Sequence, residues 1–291
     1  MPHPTRTLLT GLHFGEGPRW HDGRLWFSDF HAHAVSSVSL AADVRVEFEI
    51  DDQPSGLGWL PDGSLLVVSM VKRQLLRRAP DGAVSIHADL SGVATFHAND
   101  LVVDAVGRAF VGNFGFDLAA AMASGGIEGV MAAPGLADLA LVHPDGRVEV
   151  AARGLAFPNG SVITPDGKTL IVAESFAQRL TAFDIAADGT LSARRVWAPT
   201  GDRIPDGIAL DAAGRVWIAN AAAPECVLIA EGGAVIETIA TDQPCYACML
   251  GGDDGRSLFM LTAPALTDPP SATPAGHILV ATVEVGHAGR P

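Results

Sequence analysis

The sequence predicts an all-β protein, a six-bladed β-propeller of four-stranded blades, and three observations lead to this fold. First, a β-hairpin pattern recurs six times, with a short apolar strand, a turn rich in Asp and Gly, and a second strand rich in β-branched or aromatic residues. Second, the copies are spaced like propeller blades. Third, further hairpins lie between the copies, so each period supplies about four strands.

The turns set the period of the repeat. Their glycines are separated by 40, 44, 60, 47 and 41 residues, and they are Gly23, Gly63, Gly107, Gly167, Gly214 and Gly255. Strand-like segments remain at both ends of the chain, Thr5 to Leu12 and His277 to Val285, and we expect them to pair in the last blade. That pairing closes the ring and protects the edge strands, so we predict that residues 1–291 form one propeller domain.

The longest interval contains additional residues in the segment 117–137, DLAAAMASGGIEGVMAAPGLA. Its small, flexible and apolar composition predicts a lid or a rim loop at one end of the propeller, with a mobile surface insertion as the alternative. No segment carries a sustained apolar period of about 3.6 residues, so we expect little helix.

Charge and composition exclude several classes of partner. The formal net charge is −14 and the 19 Lys and Arg residues are scattered, which argues against nucleic acid and membrane surfaces. The chain lacks an apolar stretch of membrane-spanning length, and its first residues lack the apolar region of a secretory signal, so we predict a cytoplasmic location. Three cysteines, Cys226, Cys245 and Cys248, are too few for a disulfide framework and are expected to be buried free thiols.

One position, seven or eight residues before each turn glycine, is polar in most copies. Because the innermost strand of each blade lines the central channel, this position forms a ring around the axis. The ring residues are Glu16, Ser55, Asn99, Asn159, Asp206 and Ala247. A glycine follows the ring residue in four copies, where we expect tight backbone packing.

The oxygen atoms of the ring predict a metal site. Oxygen ligands without Cys or His select hard cations, so we expect one divalent cation, Ca²⁺ first, with Mg²⁺, Mn²⁺, Zn²⁺ and Fe²⁺ as alternatives. Two carboxylates placed together without a cation would repel each other. The alternative is a wet channel in which polar side chains bind only water and backbone groups.

Four stretches carry a family resemblance: EGPRWHDGRLWFSD, HANDLVVDAVGRAFVGN, FPNGSVITPDGKTLIVAE and IPDGIALDAAGRVWIAN. In them the chain resembles the family of senescence marker protein, gluconolactonase and luciferin-regenerating enzyme, six-bladed propellers that hydrolyse lactones with one divalent cation. The resemblance implies that Glu16, Asn159 and Asp206 bind the metal and that Asn99 binds substrate. Family members often have an arginine two residues before this asparagine, which donates a hydrogen bond to sugar-acid lactones. This chain has His97 there, so the resemblance does not predict whether its substrate is a sugar-acid lactone.

The function implied by this resemblance is hydrolysis of a small-molecule lactone or related ester. Asp206 is expected to bind the metal and to assist proton transfer. His97 is a candidate substrate donor or base, with a structural hydrogen-bonding role as the alternative. Asp100 is a candidate base that activates water, with a role in binding backbone amides as the alternative. A metal-dependent propeller hydrolase of another ester class, such as phosphoesters, and a non-enzymatic binding platform are the alternative functions.

Overall fold

Each copy of the hairpin repeat forms the two inner strands of one blade. The computed structural model describes residues 4–265 and 274–289, and its six antiparallel sheets each have four strands. From the axis outward, blade 1 contains β2 (Gly15–His21), β3 (Arg24–Asp29), β4 (Ala34–Val38) and β5 (Val44–Glu49). Blade 2 contains β6 (Pro54–Trp59), β7 (Leu65–Ser69), β8 (Gln74–Arg78) and β9 (Val84–Asp89). Blade 3 contains β10 (Ala98–Val103), β11 (Ala109–Asn113), β12 (Ala137–Val142) and β13 (Val148–Leu155).

The other three blades repeat this order, and the last one takes its outermost strand from the start of the chain. Blade 4 contains β14 (Pro158–Ile163), β15 (Thr169–Glu174), β16 (Arg179–Ile185) and β17 (Leu191–Pro199). Blade 5 contains β18 (Pro205–Leu210), β19 (Val216–Asn220), β20 (Glu225–Ile229) and β21 (Val235–Ala240). Blade 6 contains β22 (Cys245–Gly251), β23 (Ser257–Thr262), β24 (Gly276–Thr282) and β1 (Arg6–Leu12).

The ring closes as the sequence predicts. Strand β1 pairs antiparallel with β24, from Arg6 opposite Val280 to Leu12 opposite Gly276. The first and last strands of the chain thereby complete blade 6, and the inner strand of that blade packs beside β2 of blade 1. The predicted all-β, six-bladed propeller with terminal-strand closure is confirmed.

The hairpin turns have the backbone that their glycines allow. All six turn glycines have a positive φ, between 71° and 87°. This left-handed conformation is unstrained for glycine and costly for residues with a Cβ atom. The turns therefore fix the register of the two inner strands, and all of them lie at the end of the propeller opposite the ring residues.

The core lies between adjacent blades, because both faces of each sheet are covered by its neighbours. Between blades 2 and 3, for example, Leu66 and Val68 of β7 pack with Leu101 of β10 and Val111 of β11. The three cysteines are free and buried, as predicted. Burial raises the pKa of the Cys226 and Cys245 thiols, so both are protonated and unreactive at neutral pH.

The insertion in blade 3 is helical, in contrast to the loop that its composition suggested. Helix α1 (Leu118–Ala132) is the single α-helix among the described residues, and a 3-10 helix covers Ser175–Ala177. The Asp117 side chain caps α1 by accepting a hydrogen bond from the Ala120 N–H at 2.9 Å, and the backbone breaks at Gly126. Short alanine-rich turns interrupted by glycines form this helix without a sustained apolar period, which explains why the pattern missed it.

Helix α1 packs on aromatic residues at the end of the propeller where the ring residues lie, which we call the ring end. Val130 is its one buried residue and contacts the cluster that contains Phe157 and Phe176. At 15 residues, α1 is shorter than a membrane span, and no other helix within residues 4–265 and 274–289 is long and apolar enough to cross a membrane.

Candidate functional site

Four of the six ring residues lie inside a β-bulge of the innermost strand, and the other two, Glu16 and Ala247, are paired at the edge of such an irregularity. In β14, Pro158 pairs with Glu174 and the next pair is Ser161 with Val172, so Asn159 and Gly160 lie within the irregularity. The pairing of β18 skips Asp206 in the same way, and all six inner strands have a register shift near this position. Bulges re-aim side chains, and here they bring one residue from each blade to the channel mouth.

The glycine after the ring residue lets neighbouring inner strands approach closely. A Cβ atom on Gly160 would lie 2.5 Å from the carbonyl oxygen of Asp206, and one on Gly17 would lie 2.7 Å from that of Ser55. No real Cβ atom tolerates such contacts with backbone, so the predicted tight packing is confirmed. In blade 3 this place is occupied by Asp100.

A chain of hydrogen bonds joins the amides of the ring. Ser55 Oγ donates to Asn99 Oδ1 at 3.3 Å, and Asn99 Nδ2 donates to Asn159 Oδ1 at 2.9 Å. Asn159 Nδ2 donates in turn to Ser175 Oγ at 3.2 Å, and this hydroxyl donates to the carbonyl of Pro205 at 2.7 Å. The chain runs through blades 2 to 5 and fixes both amide orientations, so each amide oxygen keeps a lone pair for a further partner.

Two carboxylates complete the site, Glu16 from blade 1 and Asp206 from blade 5. Both are buried, with 7% and 9% of their surface exposed. Burial raises the pKa of Glu16 well above its ordinary value, and the charges of Asp206 and Asp100 raise it further. Burial and then the charge of Asp100 raise the pKa of Asp206, and a hydrogen bond with Asn159 opposes this only in part. The site thus concentrates negative charge at low solvent exposure.

The nearest buried cation does not neutralise these carboxylates. Arg19 donates from Nη2 to Asp100 Oδ1 at 3.2 Å and to the Leu101 carbonyl at 2.5 Å, and from Nη1 to the Pro18 carbonyl at 2.7 Å. Among the described residues, no Lys, Arg or His forms an ion pair with Glu16 or Asp206. Glu16 accepts a hydrogen bond from the Gly17 N–H at 3.1 Å. A divalent cation would supply the missing positive charge.

The donor atoms suit a hard cation. Within the described part of the chain there is no group of three or more His, Cys, Asp or Glu side chains arranged to hold a metal. The axial set instead combines two carboxylates with the amide oxygens of Asn99 and Asn159, all of them oxygen donors. Carboxylate and amide oxygens are ligands of Ca²⁺ and Mg²⁺, so these residues fit such an ion.

His97 lies outside the ring, immediately before β10 and at the same end of the channel. Its ring stacks on Phe96 with 4.2 Å between centroids and lies 5.6 Å from Phe114. Burial lowers the pKa of His97, Asp52 and Asp117 oppose this effect, and Arg73 adds to it. The imidazole is therefore neutral at pH 7 and can donate or accept one hydrogen bond at the mouth.

Asp100 lies next to the ring but is already bound. Its Oδ1 accepts hydrogen bonds from the Leu101 N–H at 2.8 Å and from Arg19. The structure therefore brings together Glu16, Asn99, Asn159 and Asp206 directly. Asp100 acts on Glu16 and Asp206 through its charge, and His97 stands apart at the mouth.

The sequence analysis missed two buried residues, Arg19 and Ser175, which hold the site residues in place. A signal existed for Arg19, because the equivalent place three residues after the ring residue is uncharged in the other five copies: Gly58, Val102, Val162, Ala209 and Leu250. Ser175 follows the end of β15, and its distance from Asn159 in sequence gave no indication that the two side chains bond.

A second polar position recurs where the second strand of a blade ends. Asp29 accepts hydrogen bonds from the His13 and Phe14 N–H groups, both at 2.9 Å. Glu174 accepts one from Ala156 N–H at 2.9 Å, and Asn220 accepts one from Ile204 N–H at 3.1 Å. Each of these side chains holds the segment that enters the inner strand, so they position the ring without lining it.

Comparison with known proteins gives consistent results. The family described as SMP-30/Gluconolactonase/LRE-like region matches residues 14–264. Pentonolactonase XacC of Haloferax volcanii is 29% identical over 279 residues, which cover 89% of this chain and 84% of that protein. The solved structure of a luciferin-regenerating enzyme has a TM-score of 0.83 at 19% identity and covers 98% of this chain and 97% of its own. A calcium-binding regucalcin from Agrobacterium tumefaciens has a TM-score of 0.81 at 20% identity, covering 100% and 97%.

Proposed function

Because the chain belongs to the SMP-30/gluconolactonase/LRE-like family, we propose that it is a hydrolase that opens a lactone at the ring end of its central channel, with one divalent cation. The observation that carries this proposal is the convergence of Glu16 and Asp206, two buried carboxylates without a basic partner among the described residues, beside two oriented amides. The relative named pentonolactonase supports the reaction class, and the structure titled a calcium-binding regucalcin supports Ca²⁺ as the first ion to test.

Glu16, Asn159 and Asp206 would hold the cation, since they combine charge and oxygen donors at the axis. When bound, such an ion polarises an ester carbonyl and lowers the pKa of a water molecule. Asn159 is held in place by Asn99 and Ser175, so its oxygen faces a fixed direction. Low exposure of the ring excludes bulk water and strengthens each electrostatic contact.

Other residues would bind the substrate and move the proton. Asn99 Nδ2 uses one hydrogen on Asn159 and keeps the second for a lactone oxygen. His97, neutral at the mouth, is a further donor to the lactone. Asp206 takes a proton from the attacking water and returns it to the leaving alkoxide, so that lactone and water yield a hydroxy acid. Asp100, bound by Arg19, keeps negative charge beside Asp206 and favours its acceptance of that proton.

A panel of lactones tests this function. Ring opening is followed by acid release, with Ca²⁺, Mg²⁺, Mn²⁺, Zn²⁺ or Fe²⁺ added singly and with EDTA. We expect turnover that EDTA abolishes, and a loss of about a hundredfold or more in kcat/KM for Asp206→Asn. Glu47→Gln is the matched control, because it removes one negative charge from an outer strand bonded to Ser37.

Three results would redirect the proposal. If calorimetry gives Asp206→Asn the same cation affinity as the parent, the proposed metal site at the axis is wrong. Turnover of an aryl phosphoester without any lactone would place the protein among other metal-dependent hydrolases. Cation binding with no hydrolysis of either class would favour a binding platform.

A further inference from the structure

Aromatic residues are concentrated at the ring end of the propeller. Seven of the 12 phenylalanines and the single tyrosine lie where inner strands begin or second strands end: Phe14, Phe30, Phe96, Phe114, Phe116, Phe157, Phe176 and Tyr246. Inner strands begin and second strands end at the same edge of each blade, because the two are antiparallel. The aromatic side chains of blades 1, 3, 4 and 6 therefore lie at the channel mouth that contains Glu16, Asn99, Asn159 and Asp206.

The largest aromatic group lies over blades 3 and 4, and we name it the aromatic shelf: Phe114, Phe116, Phe157 and Phe176. Ring centroids are 4.6 Å apart between Phe114 and Phe157 and 4.8 Å apart between Phe157 and Phe176. Phe116 packs edge-on at 6.3 Å from Phe157. Phe114 and Phe116 are only half-buried, so the shelf presents apolar surface to the solvent at the mouth.

The shelf is joined directly to the ring. Phe157 comes two residues before Asn159, and its φ of 61° turns the chain sharply into β14. Phe176 follows Ser175, whose hydroxyl accepts from Asn159. The Phe114 N–H donates to the His97 carbonyl at 2.9 Å, two residues before Asn99. A ligand bonded to the two amides thus has the shelf as its neighbour on the side of blades 3 and 4.

Helix α1 packs directly on the shelf and extends its apolar surface at the mouth. Val130 is buried in the same cluster, and Leu118, Met122, Ile127 and Met131 pack against it while only partly buried. Methionine side chains are flexible and adapt to ligands of different shape. Together, α1 and the shelf offer dispersion contacts and few hydrogen bonds to a ligand.

Basic side chains at this end do not offer a site for an anion. Each Lys or Arg in its described loops binds a carboxylate or a backbone carbonyl: Lys72 with Asp51, Arg73 with Ala94, Arg153 with Asp138, Arg179 with Glu174, and Arg203 with Glu225. The net charge of −14 adds a general repulsion of anions. A lactone with a further carboxylate would therefore find no unpaired cation at this mouth, apart from a metal at the ring residues.

From these contacts we infer that the substrate is a lactone with an apolar alkyl or aryl substituent. This substituent lies on the partly exposed apolar surface that the aromatic shelf and α1 form together, while the ester is opened at the ring residues. This inference rests on the proposed function and names its substrate class. An apolar substituent is stabilised by leaving water, and a polyhydroxylated lactone would lose hydrogen bonds to water in the same place.

Two series of ligands test the inference. The first is a set of γ-lactones with methyl, butyl, hexyl and octyl groups beside the ring oxygen, compared with a pentono-1,4-lactone of the same ring size. We expect kcat/KM to rise about fourfold per methylene until the shelf is covered. The second is the matching set of γ-lactams, which are not hydrolysed, with affinity measured by calorimetry in the presence of the cation.

The variant Phe116→Ala tests whether the shelf binds the apolar substituent independently of the hydrolysis of the ester. We expect it to lose about tenfold in kcat/KM for the hexyl lactone and in affinity for the hexyl lactam, with a clearly smaller loss for the methyl compounds. Phe48→Ala is the control, because Phe48 is a half-buried phenylalanine on the outer strand β5. A rate independent of chain length, a preference for the pentonolactone, or an equal loss for all compounds would overturn the inference while the proposed function stood. If no lactone is opened, the proposed function fails. If the affinity for the lactams also does not rise with chain length, the claim that the shelf binds an apolar substituent fails as well.

Discussion

Arg19 of blade 1 binds Asp100 of blade 3, although blade 2 lies between them in the ring. Nη2 of Arg19 is 3.2 Å from Asp100 Oδ1, and 5% and 8% of the two side chains are exposed. The intervening strand β6 has Gly56 at this level, where a Cβ atom would lie only 2.5 Å from the Leu101 nitrogen. The ion pair therefore connects the inner strands of three blades beside the ring residues.

Removal of Arg19 should destabilise the fold strongly. Arg19→Met leaves Asp100 buried without its cation, next to two other carboxylates, and we expect a loss of about 3–5 kcal/mol in the free energy of unfolding in urea. Asp100→Asn in the same chain should restore most of that loss. Lys72→Met is the control, since the exposed Lys72–Asp51 pair contributes less than about 1 kcal/mol. If Arg19→Met and Lys72→Met had the same small effect on the free energy of unfolding, the role assigned to Arg19 would be wrong.

Asp206 should oppose folding when no cation is bound. Its pKa is raised in the folded protein by burial and by Asp100, so its ionised form destabilises the native state at neutral pH. In EDTA at about pH 8, Asp206→Asn should have a higher Tm than the parent, and this difference should shrink as the pH falls and the parent carboxyl takes up its proton. With saturating Ca²⁺ the order should reverse, because the variant has lost a ligand. Thermal unfolding in the two conditions checks this, and a variant less stable in both would refute it.

The repeat made most of the fold predictable from the sequence. A turn glycine such as Gly167 marks a backbone conformation that other residues avoid, and its recurrence gave both the strand pairs and the blade number. The ring followed from register, since Asn159 and Asp206 hold the same place in equivalent strands. Local rules and global fold agree at these positions, which is why a pattern alone locates them.

Other features depend on contacts that the sequence does not encode locally. The Arg19–Asp100 pair joins residues 81 positions apart, and nothing near either residue specifies the partner. Helix α1 is stabilised by packing of Val130 on Phe157 and Phe176, so its weak periodicity was overridden by tertiary contact. The aromatic shelf is likewise assembled from segments that meet only after blades 3 and 4 have formed.

Glu174 should make the protein sensitive to acid. Burial raises its pKa, but hydrogen bonds from Thr181 and Ala156 and the charges of Arg179 and Arg194 outweigh this and hold the pKa below its ordinary value of 4.5. A carboxylate whose pKa is lower in the folded than in the unfolded protein stabilises the fold at pH values above its unfolded pKa. This contribution disappears as the pH falls through the folded pKa.

Glu174→Gln should therefore cost about 2 kcal/mol at neutral pH and progressively less below about pH 4.5. Urea unfolding across that range measures the difference. Glu231→Gln is the control, because it makes the same chemical change at an exposed side chain and should have little effect at any pH. A cost for Glu174→Gln that is the same at pH 7 and in acid would mean that its charge does not stabilise the native state.

Gly160 should control the spacing of the two strands that contribute Asn159 and Asp206. An alanine Cβ at this position would lie 2.5 Å from the Asp206 carbonyl oxygen and 2.6 Å from the Ile208 nitrogen, so β14 and β18 must separate. We expect Gly160→Ala to cost about 1–3 kcal/mol and to weaken cation binding about tenfold, since the ligand atoms move apart. Gly125→Ala makes the same chemical change in α1, where nothing lies within 4 Å, and should stabilise the protein by up to about 1 kcal/mol. Calorimetric titration with Ca²⁺ and urea unfolding of both variants check this, and undiminished affinity in Gly160→Ala would show that strand spacing does not set the site.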